Sequence, residues 1–305
     1  MTSSTILIVG FGSQARAWAL NLRDSNISFA IGLNPESHSK KKAHELGFKT
    51  VELQTNILKN FNNFLMLIPD DQHKFFFEKN ISFLKADSRF VYAHGFSLSK
   101  ERLHEKYSQF SHVLLAPKAI ASEIRFQYET KGKIGAVYFT NNAEDFSFVT
   151  HIAGHLGFNA LYPAHFEEEC IADLFSEQAI LCSLLPYGAL KTYNILIDHG
   201  LPRELAFMEC FLELKSISQA LVTLGPEEFF KLISPNALIG SEKGQQILLD
   251  SHFDEALNKL FTDIKNKKFY KETEIDHAEL RTKILKRWKH EHLSETYKIL
   301  KPELI

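Results

Sequence analysis

The chain has 305 residues, 45% of them hydrophobic and 24% charged, with a formal net charge of -2 at pH 7. That length exceeds what one hydrophobic core usually serves, so two domains are expected, and the charge balance excludes a disordered chain or one built around a basic nucleic-acid stripe. The three cysteines, Cys170, Cys182 and Cys210, lie in apolar helical sequence and read as reduced core thiols rather than metal ligands. The N-terminus runs from Met1 through the apolar stretch Ile6 to Val9 into a glycine turn. It carries neither a basic leader nor a long apolar segment, which predicts a cytoplasmic protein with no membrane insertion.

From Thr5 to about Leu156, short runs rich in Ile, Val and Phe alternate with stretches of helical period. This alternation predicts an α/β domain with a doubly wound, Rossmann-type parallel sheet, its strands at residues 5–9, 29–33, 64–68, 90–93, 112–116 and 136–139. The first strand meets Gly10-Phe11-Gly12-Ser13-Gln14-Ala15, a glycine turn opening a helix that runs to about Leu22. Gly10 suits the tight turn, and Gly12 lets the backbone approach a pyrophosphate at the helix N-terminus. Ala15 stands where the third glycine of the usual fingerprint would be, adding one methyl to the helix–strand contact.

The second strand ends in Leu33-Asn34 with no acid for a ribose 2′-hydroxyl, and Ser37, Ser39 and the lysines from Lys40 to Lys42 follow. Hydroxyls and cations there suit a 2′-phosphate, so NADPH is expected, with Ser37 and Ser39 as its partners and Lys41 and Lys42 as a solvated helix face. His94 and Lys118 each lie just past the end of a later strand, where such sheets present their ligands. Beyond Pro163 the sequence is helical, broken near Gly200-Leu201-Pro202 and Gly225-Pro226. The domains are thus expected at residues 1–163 and 164–305, the second all-α.

In the helical half, Asp173 and Glu177 lie four residues apart on one helix face, and Glu209 and Glu213 repeat the spacing. Such pairs repel each other. If buried they call for a cation, and four carboxylates on two helices suit two hard divalent ions; if exposed they are ordinary solvated faces. Glu167, Glu168 and Glu169 read as acids favouring a helix N-terminus.

These residues resemble the ketol-acid reductoisomerases, in order along nearly the whole chain, and the shorter, single-knot class in particular. The motifs are Gly10-Phe11-Gly12-Ser13-Gln14, Pro69-Asp70, Ala93-His94-Gly95-Phe96, Ala116-Pro117-Lys118, Asp173-Leu174-Phe175 with Glu177-Gln178-Ala179, Glu209-Cys210 with Glu213, and Ser234 with Asn236. The resemblance implies a knotted C-terminal domain that also dimerises. It implies cofactor contacts from Gly10 to Gln14 and at Asn34, Ser37, Ser39, Pro69 and Asp70. It further implies two Mg²⁺ ions among Asp173, Glu177, Glu209 and Glu213, with Glu209 and Glu213 supplied by the partner subunit of a homodimer. His94, Lys118 and Glu213 are then the catalytic candidates, and Ser234 holds the substrate carboxylate.

The implied reaction converts 2-acetolactate or 2-aceto-2-hydroxybutyrate to the 2,3-dihydroxy acid, joining an alkyl shift to NADPH reduction in valine and isoleucine biosynthesis. The general base is left open between a carboxylate and water held by the ions. The chain departs from the family at Asn34 (usually arginine), at 119–123 (usually a Gly-Pro-Gly-His run), at Ser176 (glycine) and at Leu238 (glutamate). Two alternatives stay open: a related NADPH-dependent reductase with an altered substrate, and a catalytically silent nucleotide-binding paralogue.

Overall fold

The computed structural model describes residues 6–304; Thr5, included in the predicted first strand, lies outside the described residues. The chain divides into two compact units, Met1–Cys170 and Ile171–Ile305.

The first unit is built on an eight-stranded sheet: β1 (Ile6–Val9), β2 (Phe29–Leu33), β3 (Thr50–Glu52), β4 (Asn63–Met66), β5 (Arg89–Tyr92), β6 (Ser111–Pro117), β7 (Ile134–Phe139) and β8 (Phe158–Pro163). Its spatial order is β3-β2-β1-β4-β5-β6-β7-β8. The first six strands run parallel, but β6 and β7 pair antiparallel, with Leu114 opposite Phe139 and Pro117 opposite Ala136. The expected doubly wound parallel sheet is present, with this one antiparallel pair added. Alternation along a strand reads the same in either direction, whereas the amide of Lys118 donates to Gly135 O at 2.9 Å, so β7 begins where β6 ends. Two strands are additional to the prediction. β3 is too short to show alternation, and β8 follows a turn at Gly157, φ +85°, with polar residues among its apolar ones.

Successive residues of β1 go to opposite faces, as a period of two requires. Ile6 and Ile8 join the layer of Trp18, Leu22, Leu65, Val91, Val113 and Val149, while Leu7 and Val9 join Phe64, Phe77, Phe90, Tyr92 and Leu114. Helices α1 (Ser13–Asp24), α2 (Ser39–Glu45), α3 (Asp70–Asn80), α4 (Phe96–Glu101), α5 (Leu103–Lys106), α6 (Ala121–Thr130) and α7 (Ala143–Leu156) connect and cover the strands.

Helix α8 (Phe166–Ser176) ends in the second unit, and Glu177–Leu184 continues as a π-helix into α9 (Leu185–Asp198). After Gly200 come α10 (Arg203–Phe207), a second π-helical stretch at Met208–Leu212, and α11 (Glu213–Leu224). Past Gly225 lie α12 (Pro226–Leu232), α13 (Pro235–Leu248), α14 (Ser251–Lys265), α15 (Lys268–Glu272), α16 (His277–Lys289) and α17 (His292–Leu304). Both glycines take positive φ, +83° and +82°, where a side chain would be strained, and both stand at predicted breaks.

This unit has a small core of Leu190, Tyr193, Ala206, Phe207 and Leu293. Much apolar surface stays open, Val222 at 83% and Ile239 at 70% exposure among it. The cysteine expectation holds in part: all three are free thiols, but Cys170 is buried while Cys182 is exposed and Cys210 intermediate. Burial and the nearby Glu177 and Asp173 push the Cys182 thiol up; burial and Glu209 do the same for Cys210.

Candidate active site

The glycine turn is forced by its neighbours. Gly10 has φ +98°, its amide donates to Gly32 O at 3.0 Å, and a Cβ there would lie 2.7 Å from Ile68 Cγ2 and 2.9 Å from Leu67 O. Gly12 stands extended at the cap of α1, with nothing within 4 Å of where a Cβ would be, so the first amides of α1 stay approachable. Phe11 is buried in the core, Ser13 is exposed and Gln14 half-buried. Ala15 is fully buried against the sheet, which is how the fingerprint accepts alanine at its third position.

Beyond β2, Asn34 is exposed and opens a turn in which the Ser37 amide donates to Asn34 O at 3.0 Å. The Ser37 hydroxyl accepts the Ser39 amide at 3.3 Å and keeps its own proton to donate. Lys40 is engaged by Glu52 at 2.8 Å, whereas Lys41 forms only a loose exposed pair with Glu45 at 3.9 Å.

Because β1, β4, β5 and β6 are parallel neighbours, the turns at their carboxyl ends form one row. The row carries Gly10 and Gly12, then Pro69 and Asp70, then His94 and Gly95, then Lys118. The strand order reverses between β1 and β4, the position at which open α/β sheets bind their ligands.

At the far end of the row lies a residue that sequence reasoning assigned elsewhere. Glu169, on α8, is 3% exposed. Its Oε1 accepts Lys118 Nζ at 2.6 Å, and its Oε2 accepts the Gly95 amide at 2.7 Å. His94 Nε2 lies 3.9 Å from the same Oε2, and His94 Nδ1 lies 3.9 Å from Asp70 Oδ2. A buried carboxylate needs such compensation, which here comes from the backbone amide and from a lysine that itself keeps contact with solvent. Gly95 is required for the approach: a Cβ there would meet Phe166 O at 2.1 Å and Glu169 Oε2 at 3.0 Å.

The three glutamates do lie in the first turn of α8, as expected, but one of them does more than favour the helix start. Glu168 does cap the helix, accepting the His165 amide at 2.8 Å, but Glu169 points into the row of strand ends. The signal was present in the sequence, since Glu169, Asp173 and Glu177 continue one four-residue spacing.

In the second unit Asp173 is half-buried, Glu177 is exposed at the start of the first π-helical stretch, Glu209 is exposed within the second, and Glu213 is exposed at its end. Wide π turns are frequent where helices carry functional side chains. No three of these four carboxylates bring their oxygens within 4.8 Å of one another in the single chain. Ser234 is exposed and caps α13, its Oγ accepting the Ala237 amide at 3.2 Å, so its proton and the helix N-terminus both suit an anion.

A doubly wound sheet with a glycine turn, an approachable helix N-terminus and a polar row at the switch point defines a dinucleotide-binding architecture. Comparison with known proteins gives the family. Residues 1–153 match the NADPH-binding domain of acetohydroxy acid isomeroreductase, and residues 166–301 match the C-terminal domain of ketol-acid reductoisomerase. The chain is 34% identical to the ketol-acid reductoisomerase (NADP(+)) of Helicobacter acinonychis over 94% of its own length and 90% of that protein's. It is 30% identical to that of Xanthomonas campestris pv. campestris over 88% and 82%. A solved NADH-preferring ketol-acid reductoisomerase from an uncultured archean shares the fold, with TM-score 0.87 at 23% identity over 98% of this chain and 94% of that one. The chain belongs to the ketol-acid reductoisomerase family, and is an NADP-dependent oxidoreductase and isomerase.

Proposed function

We propose that the protein is a Mg²⁺-dependent reductoisomerase of the cytoplasm. Its substrate is 2-acetolactate or 2-aceto-2-hydroxybutyrate, and it works as a homodimer whose sites are shared between subunits. The observation that carries the reading is the buried Glu169 carboxylate, fixed by Lys118 and the Gly95 amide at the carboxyl ends of β5 and β6.

The donor sets suit the implied groups. Asp173, Glu177, Glu209 and Glu213 offer only carboxylate oxygens, the ligands hard Mg²⁺ prefers. Asp70 Oδ1 is buried with no hydrogen-bond partner, an acceptor left for a donor such as a ribose hydroxyl. When bound, the two ions supply Lewis acidity toward the tertiary hydroxyl and adjacent carbonyl, and NADPH supplies hydride.

The protein's own residues position and move protons. Lys118 and the Gly95 amide hold the Glu169 side chain at the strand ends and aim it at the reacting centre, where its carboxyl group can take and return a proton. His94 stands between Asp70 and Glu169, within one short movement of either. Ser234 donates to the substrate carboxylate from the N-terminus of α13. Glu209 and Glu213 reach the site from the partner subunit, a reading supported by the fact that no three of the four acids gather their oxygens within 4.8 Å in one chain. The helical run Phe166–Asp198 is long and apolar enough to cross a membrane by length and composition alone. We assign its apolar surface to the second copy, because the run also carries Asp173 and Glu177.

The test follows NADPH absorbance with 2-acetolactate, with and without Mg²⁺, in the wild type and in Glu177→Gln. Mg²⁺-dependent oxidation that the substitution lowers roughly a hundredfold is expected; no Mg²⁺-dependent oxidation at any substrate concentration would sink the reading. A second reading, a reductase with a bulkier substrate, is favoured by Ile120. It is 75% exposed at the start of α6, two residues past Lys118, where the 119–123 segment is compact and leads directly into helix. Relative kcat/KM for 2-acetolactate and its longer-chain homologues separates the two.

A further inference from the structure

His73 lies on α3, 3% exposed, and bonds through both edges of its ring. Nε2 is 3.1 Å from Ile68 O and Nδ1 is 2.6 Å from Ser97 Oγ. A carbonyl can only accept, so Nε2 carries the proton and Nδ1 accepts from the serine hydroxyl. Burial pushes the imidazole below its ordinary value, consistent with this singly protonated form. The ring also packs edge-on against Tyr92 of β5, centroids 5.4 Å apart.

The two partners belong to the segments that follow different strands, Ile68 in the turn after β4 and Ser97 at the start of α4 after β5. Ile68 precedes Pro69 and Asp70 after β4; Ser97 lies three residues past His94 after β5. His73 therefore spans the two segments that place Asp70 beside His94, 3.9 Å apart, with His94 3.9 Å from Glu169. Asp70 Oδ1 is itself 3.8 Å from His73 Nδ1.

We propose that His73 is a positioning residue for the reductoisomerase reaction: its imidazole pins the segments after β4 and β5 together and so sets the spacing of Asp70, His94 and Glu169. The role needs a group that donates to Ile68 O and accepts from the Ser97 hydroxyl. Leucine would leave Ile68 O and the Ser97 hydroxyl without their partner, while glutamine offers one donor and one acceptor on a longer stem. The inference rests on the placement of His94 and Glu169 at the reacting centre.

The experiment uses the full-length enzyme with Mg²⁺, NADPH and 2-acetolactate, comparing His73→Leu, His73→Gln and Ser97→Ala, with kcat expressed per folded enzyme. His73→Leu is expected to lower kcat roughly a hundredfold, the scale of a misplacement near 1 Å. Ser97→Ala, which loses one arm, is expected to fall roughly tenfold, and His73→Gln to recover most of the loss. Wild-type kcat in Ser97→Ala together with no recovery in His73→Gln would overturn the proposal, and these two variants decide it even where His73→Leu does not fold. A lowered melting temperature with unchanged kcat in all three would equally overturn it, since a purely structural histidine gives that result. Nitrogen-15 spectra of histidine-labelled wild type at neutral pH must show His73 protonated on Nε2 alone; an Nδ1–H tautomer or a charged ring also overturns it. That spectrum does not depend on turnover, so failure of the pin and failure of the reductoisomerase reading are separable.

Discussion

In the first unit β1, β2, β4, β5 and β6 are covered on both faces, and β1, β4 and most of β5 are fully buried. In the second unit α11, α12 and α13 bury no residue within a single chain, although Ile217, Val222, Phe230 and Ile239 lie along them. The two have similar hydrophobic content in kind but differ in what it packs against. A parallel sheet must be buried on both faces to exist, so the first unit completes its own core. Helices satisfy their backbone bonds internally and can stand with an apolar stripe open, which suits a surface completed by a second copy.

The contrast can be broken most sharply at Gly95, where the first unit is packed to contact. Gly95→Ala would place a Cβ 2.1 Å from Phe166 O, displacing the Glu169 carboxylate from the Gly95 amide. We expect kcat to fall roughly a hundredfold to a thousandfold, read by NADPH oxidation. Gly154→Ala, in the helix α7 with nothing within 4 Å of its Cβ, is the matched control and should leave kcat unchanged.

A charge on the open apolar surface of the second unit tests the other side. Val222→Asp combined with Ile239→Asp should shift the protein toward monomer in sedimentation and lower specific activity roughly tenfold or more on dilution. The exposed Phe126→Asp in the first unit should do neither. Equal behaviour of the two substitutions would remove the distinction between the surfaces.

The smallest effect concerns acid stability of the first unit. His112 is buried, its Nδ1 accepting from Tyr92 OH at 2.9 Å and its Nε2 donating to Tyr107 O at 3.1 Å, and burial lowers its pKa to about 4. The unfolded chain takes up that proton below its ordinary 6.5, the folded chain only near 4. The stability is therefore fully present above pH 6.5 and is lost as pH falls toward 4, about 3 kcal/mol in all. Denaturant melts across this window should show the decline, and His112→Gln should flatten it whatever its absolute stability.

Much of the first unit was legible because its signals are local. Four apolar residues, Gly10 and Gly12 identify a strand, a tight turn and an open helix start, and Gly10 is where the fold places its left-handed turn. The breaks at Gly200 and Gly225 were readable for the same reason. The antiparallel entry of β7 was not, because direction is set by which strand end the chain meets after α6. His73 was also invisible, since a histidine on α3 gives no sign that its two partners follow different strands.

Glu169 shows where the division falls. By itself the sequence determined the nucleotide turn, the alternation of the sheet domain, the helical second half and the four-residue spacing of Asp173 and Glu177, all consequences of backbone preference and side-chain period. Only the tertiary structure decided which of three consecutive glutamates caps the helix and which is buried against Lys118 and the Gly95 amide. Burial is a property of what packs across the gap, and the lysine and amide that stabilise this carboxylate come from strand ends far away in the chain.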